Sequence, residues 1–95
     1  MIGIGLVSGF VYVLQSERNG CYYVGSTTDL VRRYWRHAAG QVTATARLQP
    51  WQMVGWREYA DATLTRQVEW AVKQKKGRAY VERWLEGGWE PKALE

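Results

Sequence analysis

The alternation of apolar and polar positions along the chain predicts three strands. Residues 10–14 are β-branched or aromatic and predict the first strand. The dipeptide Asn19-Gly20 is a strong turn signal, so residues 21–24 predict a strand that returns antiparallel to the first. A polar loop precedes residues 51–59, which predict the third strand.

Helical periodicity predicts three helices in the remaining segments. The first begins at Asp29 and ends at Gly40, because apolar residues follow Asp29 at a spacing of four. The second begins at Asp61 and is broken at Gly77, and the third covers residues 78–85. The order β-β-α-β-α-α predicts an α+β fold in which a small sheet packs against helices.

The turn of the predicted hairpin decides which of its side chains share a face. Side chains alternate along a strand, so any loop of even length between Gln15 and Cys21 places Tyr12 and Tyr23 on the same face of the sheet. A loop of odd length would separate them. On the pattern alone, two tyrosines on one face are typical of a cross-strand aromatic pair that stabilises the sheet.

Length and composition limit the class of protein. The 95 residues, of which 46% are hydrophobic and 23% charged, are typical of one globular domain, which we expect to span residues 1–95. The net charge of +4 and the pI near 9.5 favour a polyanionic partner, and nucleic acid is the commonest. Most of the six tryptophans are expected in the core, with Trp35 and Trp89 as candidates for exposure.

The single cysteine and the N-terminal segment limit the class further. Cys21 stands alone, which excludes an internal disulfide and a Cys-based zinc site and fits a reducing, intracellular setting. Residues 2–15 are uncharged, but they lack the basic region and cleavage site of a signal peptide and are too short to span a membrane. We therefore expect a cytoplasmic protein with no membrane contact.

The first predicted helix directs two basic residues inward. With 100° of rotation per residue, Arg33 lies about 60° and His37 about 20° from the apolar Leu30, and the neighbouring arginines point to solvent. An arginine beside an apolar stripe needs an anionic partner, because an unpaired buried charge is costly. That partner is either an internal carboxylate, Glu58 or Glu69, or a bound phosphate. The histidine is either a hydrogen-bonded core residue or part of a site.

Glu69 is less conspicuous in the sequence. It lies roughly 100° or more from the apolar stripe of the second predicted helix, with Arg66 three residues before it and Lys73 four residues after it. This spacing is typical of an exposed ion pair worth a few tenths of a kcal/mol. Periodicity alone assigns Glu69 no further role.

Several motifs, in their order and spacing, resemble the GIY-YIG nuclease superfamily. The resemblance extends over about 70 of the 95 residues. It is carried, in chain order, by Val11-Tyr12, Tyr23-Val24-Gly25, Thr27-x-Asp29-Leu30-x-Arg32-Arg33-x-x-x-His37, Gly40, Thr45, Pro50-Trp51-x-x-Val54, Glu69-x-x-x-Lys73 and Lys76-Gly77-Arg78. The chain is similar to small stand-alone bacterial and phage members, and also to the nuclease domain of the eukaryotic structure-specific resolvase subunit. The resemblance implies a three-stranded antiparallel sheet flanked by helices.

The resemblance also implies a role for each matching residue. Tyr12 and Tyr23 match the two signature tyrosines, Arg33 and His37 match the pair on the first helix, and Glu69 matches the single metal-binding glutamate. An enzyme of this kind hydrolyses phosphodiester bonds in DNA with one Mg²⁺ or Mn²⁺ ion. The arginine would bind the phosphoryl oxygens through a fork of donors that lysine lacks.

The general base stays open between two residues. Tyr12 is the first choice, with His37 and Tyr23 as orienting partners, but a phenol with a pKa of about 10 needs nearby positive charge to act at neutral pH. His37 is the rival, because its ordinary pKa near 6.5 suits proton transfer better.

Two positions depart from the family pattern. Phe10 stands where the first signature has a glycine, and Ser26 stands where the excision-repair branch has a lysine. The second departure argues against that branch and leaves one cation fewer to activate the attacking water. Neither departure removes any of the five core roles.

A basic surface is expected to bind the backbone of duplex, branched or flapped DNA, because phosphate contacts position DNA without reading its sequence. The residues expected there are Arg32, Arg36, Thr45, Arg47, Lys73, Lys75, Lys76 and Arg78. Two other functions stay open: a catalytically inactive nucleic-acid-binding module, and a nuclease subunit that is active only with a partner. One active site cuts one strand, so a double-strand cut requires a homodimer or two encounters.

Overall fold

The computed structural model describes residues 8–74 and 78–87. Within these ranges the element order is β1 (Gly9–Ser16), β2 (Tyr22–Thr27), α1 (Leu30–Ala38), α2 (Thr43–Ala46), β3 (Trp51–Tyr59), α3 (Ala62–Gln74) and α4 (Arg78–Leu85). Both strand pairs are antiparallel and the strand order is β2-β1-β3, so β1 is the central strand. The predicted α+β fold, a three-stranded antiparallel sheet flanked by helices, is confirmed.

The central strand is buried on both faces, which explains why its sequence is continuously apolar. Val11, Tyr12, Val13 and Leu14 have no exposed surface. On one face the two valines form a cluster with residues of β2, α3 and α4, namely Val24, Val68, Val72, Val81 and Trp84. On the other face the tyrosine and the leucine pack with residues of β2, α1 and β3, among them Tyr23, Leu30, Tyr34 and Trp51.

The hairpin between β1 and β2 has the even-length loop that brings the two tyrosines together. Ser16 N donates to Cys21 O at 2.9 Å and closes a loop of residues 17–20. Gly20 takes a φ of +79°, which a glycine adopts without strain. Tyr12 lies opposite Gly25, two residues along β2 from Tyr23, so the two phenols project from the same face of the sheet.

The predicted helix starts agree with the observed caps. Asp29 Oδ1 accepts from Arg32 N at 3.0 Å at the start of α1, and Asp61 Oδ1 accepts from Leu64 N at 2.8 Å at the start of α3. The helix α4 has the predicted bounds. The predicted break at Gly77 lies outside the described residues.

The segment predicted as a polar loop contains a short helix, α2. Thr45 fixes this turn, because its amide donates to Val42 O at 3.1 Å and its carbonyl accepts from Trp51 Nε1 at 2.6 Å. A helix of four residues has too few positions to show a periodic pattern, so the sequence does not predict it.

Candidate active site

Tyr12 from β1 and His37 from α1 meet in the interior between the sheet and α1. Tyr12 Oη lies 2.8 Å from His37 Nε2, and neither side chain has exposed surface. The other ring nitrogen, His37 Nδ1, lies 2.7 Å from Thr45 Oγ1 on α2. Three elements therefore contribute to one chain of hydrogen bonds.

The surroundings of this pair set its protonation at neutral pH. Burial raises the pKa of Tyr12 to about 12, Tyr23 adds to the rise, and Arg33 opposes it through its charge and a hydrogen bond. Burial, followed by the positive charges of Arg33 and Arg36, lowers the pKa of His37 to about 4. At pH 7 the phenol is therefore protonated and the imidazole is neutral.

Tyr23 packs against both members of the pair. Its ring centroid lies 6.5 Å from that of Tyr12 and 5.3 Å from that of His37. The side chain is half-buried, and Lys73 Nζ lies 5.8 Å from the ring centroid. Tyr23 thus connects the buried pair to the solvent-facing side of the site.

Arg33 lies inward on α1, as the helical periodicity predicts. It is half-buried and its charge lowers the pKa of Tyr12 against the effect of burial, whereas Arg32 and Arg36 on the same helix are exposed. The carboxylate of Glu69, one of the two internal partners considered for Arg33, pairs with Lys73 instead.

Glu69 reaches the site from α3, which packs on the opposite face of the sheet. Ser26 Oγ on the edge strand β2 donates to Glu69 Oε1 at 2.5 Å, and Lys73 Nζ donates to Glu69 Oε2 at 2.6 Å. The Glu69 side chain is only 20% exposed, and its charge contributes, as the smallest of the causes, to the raised pKa of Tyr12. The charge of the Glu69 carboxylate therefore acts on Tyr12, and the role of Glu69 extends beyond the predicted exposed ion pair with Lys73.

The structure thus brings Tyr12, Tyr23, Arg33 and His37 together between the sheet and α1. Glu69 belongs to α3 on the opposite face, and Lys73, which pairs with its carboxylate and lies beside the Tyr23 ring, links it to the other four. A protonated phenol held by a neutral imidazole, a guanidinium and a partly buried carboxylate form a site suited to proton transfer and to binding an oxyanion.

The expected DNA-binding residues lie in different places. Arg32 and Arg36 line a solvent-facing cavity together with Arg33 and residues at the start of α1, and Arg47 is exposed. Arg78 packs on the hairpin, where its guanidinium lies 4.7 Å from the Tyr22 ring centroid and Nη1 donates to Gly20 O at 3.1 Å. Lys75 and Lys76 lie outside the described residues.

Thr45 was expected among the residues that bind nucleic acid, and the structure corrects this expectation. Its side chain has no exposed surface and contacts His37 and Val42. The sequence analysis names Thr45 and Ser26, but it predicts neither the contact of Thr45 with His37 nor that of Ser26 with Glu69. Periodicity within one element does not reveal these contacts, because each joins two different elements.

The expectation for the tryptophans is wrong for the described residues. Trp51 and Trp84 are buried, but Trp35, Trp56 and Trp70 are 64%, 56% and 61% exposed. Trp35 is thus exposed, as anticipated. The other candidate for exposure, Trp89, lies outside the described residues.

Within residues 8–74 and 78–87, no group of three or more His, Cys, Asp and Glu side chains is placed to hold a metal ion. No helix in these ranges has the length and apolar character needed to cross a membrane.

The fold is that of a small α+β domain with a candidate active site between the sheet and α1. Residues 8–81 match the family model described as the GIY-YIG catalytic domain. UPF0213 proteins from two strains of Xanthomonas campestris pv. campestris are 37% identical over 70 residues, which are 73% of this chain and 68% of theirs. The NMR structure of a UPF0213 protein from Bacillus halodurans has a TM-score of 0.55 at 26% identity, covering 86% of this chain and 87% of that one.

The chain belongs to the GIY-YIG catalytic domain family. This membership implies a nuclease-type function and a nucleic-acid substrate. The names of the UPF0213 relatives specify no substrate, metal or mechanism.

Proposed function

We propose that the chain is a divalent-metal-dependent endonuclease that hydrolyses DNA phosphodiester bonds with weak sequence preference. The observation that supports this proposal is the cluster of Tyr12, Tyr23, Arg33 and His37, to which Glu69 is linked through Lys73. Core packing alone does not require a buried phenol–imidazole bond with a guanidinium beside it, since each polar group costs free energy to bury.

Arg33 is proposed to bind the scissile phosphate. Arg33 is half-buried, lines a solvent-facing cavity and has a charge that lowers the pKa of Tyr12, so a phosphate bound by it lies near the phenol. The planar fork binds two phosphoryl oxygens at once and stabilises the charge that develops on them during attack.

Tyr12 and His37 are proposed to act as one base. When the phenol oxygen takes a proton from the attacking water, its own proton passes to His37 Nε2, which is 2.8 Å away. Both residues are fully buried in this structure, whereas Tyr23 and Arg33 are half-buried. The half-buried pair therefore forms the solvent-facing side of the site, from which the attacking water is proposed to enter.

Glu69 is proposed to hold the metal ion, which we expect to be Mg²⁺ or Mn²⁺. A lone carboxylate with a hydroxyl oxygen beside it fits a hard cation that keeps several of its waters. The ammonium of Lys73, 2.6 Å from Glu69 Oε2, indicates that this position stabilises positive charge. A bound ion would supply charge stabilisation at the phosphoryl group and at the leaving oxygen.

The exposed arginines of α1 are proposed to bind the DNA backbone next to the cleaved phosphate. Arg32 and Arg36 share a cavity with Arg33, so phosphates on either side of the scissile one fall within reach. Such contacts carry no sequence information, and branched or flapped DNA is the substrate that we expect this site to favour.

The proposal is tested by cleavage of a supercoiled plasmid and of branched duplexes in Mg²⁺ or in chelator. We expect nicking by the intact protein in Mg²⁺, none in chelator, and none by Glu69→Ala. The matched control is Glu17→Ala, which removes an exposed carboxylate in the hairpin loop. Cleavage by Glu69→Ala at the rate of the intact protein would overturn the assignment of the metal site.

A second candidate is a catalytically inactive nucleic-acid-binding module. The complete burial of Tyr12 and His37 favours it, because a general base must contact the attacking water. Salt-sensitive DNA binding without cleavage in Mg²⁺ or Mn²⁺ would support this candidate and exclude the nuclease.

A further inference from the structure

Thr45 forms the end of the hydrogen-bond chain that begins at Tyr12, and its surroundings determine the direction of each bond. Thr45 Oγ1 lies 2.7 Å from His37 Nδ1 and 3.3 Å from Val42 O. A carbonyl oxygen can only accept, and a hydroxyl has a single proton to donate. If the Thr45 proton is directed to Val42, the Thr45 oxygen accepts from a protonated His37 Nδ1.

The other end of the chain leads to the same assignment. The buried phenol of Tyr12 needs an acceptor for its proton. His37 Nε2, at 2.8 Å, provides one only if this nitrogen carries no proton. A neutral imidazole with a bare Nε2 is protonated at Nδ1.

We propose that Thr45 is a positioning residue that fixes His37 in the Nδ1-protonated tautomer, so that Nε2 is free to accept the proton of Tyr12. The direction of the whole chain is then Tyr12 to His37, His37 to Thr45, and Thr45 to the carbonyl of Val42. Because the hydrogen bond at one ring nitrogen decides which nitrogen is protonated, a buried hydroxyl at Nδ1 is sufficient to select the tautomer.

The fold of α2 keeps the hydroxyl of Thr45 in place. The Thr45 amide and carbonyl are bonded to Val42 and to the indole of Trp51, so the residue is held from both sides of its backbone. Its side chain has no exposed surface, and water therefore cannot replace the hydroxyl at Nδ1. The buried threonine thus orients the imidazole without contacting substrate.

The consequence for the reaction rests on the proposed function. One O–H bond of the water breaks and its proton moves to the oxygen of Tyr12, while the phenol proton moves to His37 Nε2. The water oxygen bonds to phosphorus, and the 3′ oxygen leaves with its electron pair. The Nδ1 proton stays on the ring throughout, held by Thr45, so the imidazolium that forms already has an acceptor for it.

The test uses the fact that His37 is the only histidine of the chain. Nitrogen-15 NMR of the full chain, with labelled histidine and without DNA or metal, reports the tautomer of one imidazole. We expect the Nδ1-protonated form in the intact protein and in Thr45→Ser, which keeps the hydroxyl. We expect Thr45→Val, which has the same shape but no hydroxyl, to show an increased fraction of the Nε2-protonated form.

Two results would overturn the inference: an Nε2-protonated His37 in the intact protein, or the same tautomer fraction in Thr45→Val as in the intact protein. The first result needs no variant, so a failure of Thr45→Val to fold leaves the test decisive. In cleavage assays we expect Thr45→Val to lower kcat about tenfold at unchanged DNA affinity, with recovery in Thr45→Ser. An Nδ1-protonated His37 in a protein that never cleaves DNA would contradict the proposed function and uphold the tautomer.

Discussion

Gly25 makes room for the phenol of Tyr12. A Cβ atom at position 25 would lie 2.5 Å from Tyr12 Oη and 2.6 Å from Tyr12 Cζ. The glycine of the Tyr-Val-Gly motif is therefore a steric requirement of the site, since the ring of Tyr12 crosses directly over it. Any side chain here must displace the phenol from His37.

We accordingly expect Gly25→Ala to lower the cleavage rate at least tenfold, because the phenol can no longer reach His37 Nε2 in the same geometry. The measurement is the initial rate of plasmid nicking in Mg²⁺, with circular dichroism as the check on folding. A folded Gly25→Ala protein that cleaves at the rate of the intact chain would show that the position of Tyr12 does not matter.

The lowered pKa of His37 leads to a prediction about how stability depends on pH. Burial, and then Arg33 and Arg36, lower the pKa of His37 to about 4 in the folded protein, against about 6.5 in an unfolded chain. Between these values the unfolded chain binds the proton more readily, so the free energy of unfolding falls as the pH falls from 6.5 to 4. The stability that comes from keeping His37 neutral is therefore fully present above pH 6.5. Its loss on acidification lowers the free energy of unfolding by about 3 kcal/mol at most.

The variant His37→Gln isolates this effect, since it keeps a polar side chain that does not titrate. Urea unfolding at several pH values should show a steeper loss of stability between pH 6.5 and 4 for the intact protein than for His37→Gln. Carboxylates that titrate in the same range are common to both proteins and cancel in the comparison. Parallel curves would mean that His37 keeps an ordinary pKa when folded.

The sequence predicts the orientation of a side chain well where a single helix or strand determines it. Helical rotation alone places Arg33 and His37 inward on α1, because both orientations depend only on the spacing from Leu30. Glu69 could not be placed in this way. Its partner Ser26 belongs to the edge strand β2, and only the packing of α3 against that strand brings the two together.

At the scale of elements, the hairpin is the part that the sequence predicts most fully. Loop parity brings Tyr12 and Tyr23 to one face without any knowledge of the tertiary structure. The pairing of β1 with β3 was not predictable in the same way, since the register shifts between Val13 and Leu14. A shift of this kind inserts one residue, here Val54, that has no partner on β1.

The pairing of β1 with β3 places an exposed tryptophan beside the site. Trp56 lies directly opposite Tyr12 on the edge strand β3, and its side chain is 56% exposed. Directly opposite residues on neighbouring strands have Cβ atoms about 5 Å apart and share a face. A base next to the scissile phosphate could therefore stack on this ring.

We expect Trp56→Ala to weaken the binding of single-stranded and flapped DNA by about 1–3 kcal/mol, the usual contribution of one stacked base. Binding is measured by fluorescence anisotropy in chelator, so that no cleavage occurs. Trp70→Ala is the matched control, because Trp70 is equally exposed but belongs to α3. Equal losses in the two variants would contradict a stacking position at Trp56.

At the scale of the whole molecule, the positive charges perform two tasks that oppose each other. The net charge of +4 attracts nucleic acid, but the positive charges of Arg33 and Arg36 also help to lower the pKa of His37 to about 4. A weakly basic imidazole is a poor proton acceptor at neutral pH. A phosphate bound by these arginines would offset their charge and make His37 a better acceptor at the moment the substrate is in place.

This coupling predicts that DNA raises the pKa of His37. The imidazole is already fully buried, so bound DNA adds little desolvation, and the added negative charge favours the protonated ring. The pKa is measured by NMR titration of the single histidine, with and without a short oligonucleotide, in chelator. In the DNA-free protein, Arg36→Ala should raise the pKa by itself, and it should reduce the further rise on DNA binding. An unchanged or lowered pKa in the complex would mean that the phosphates bind too far from Arg33 and Arg36 to affect the proposed base.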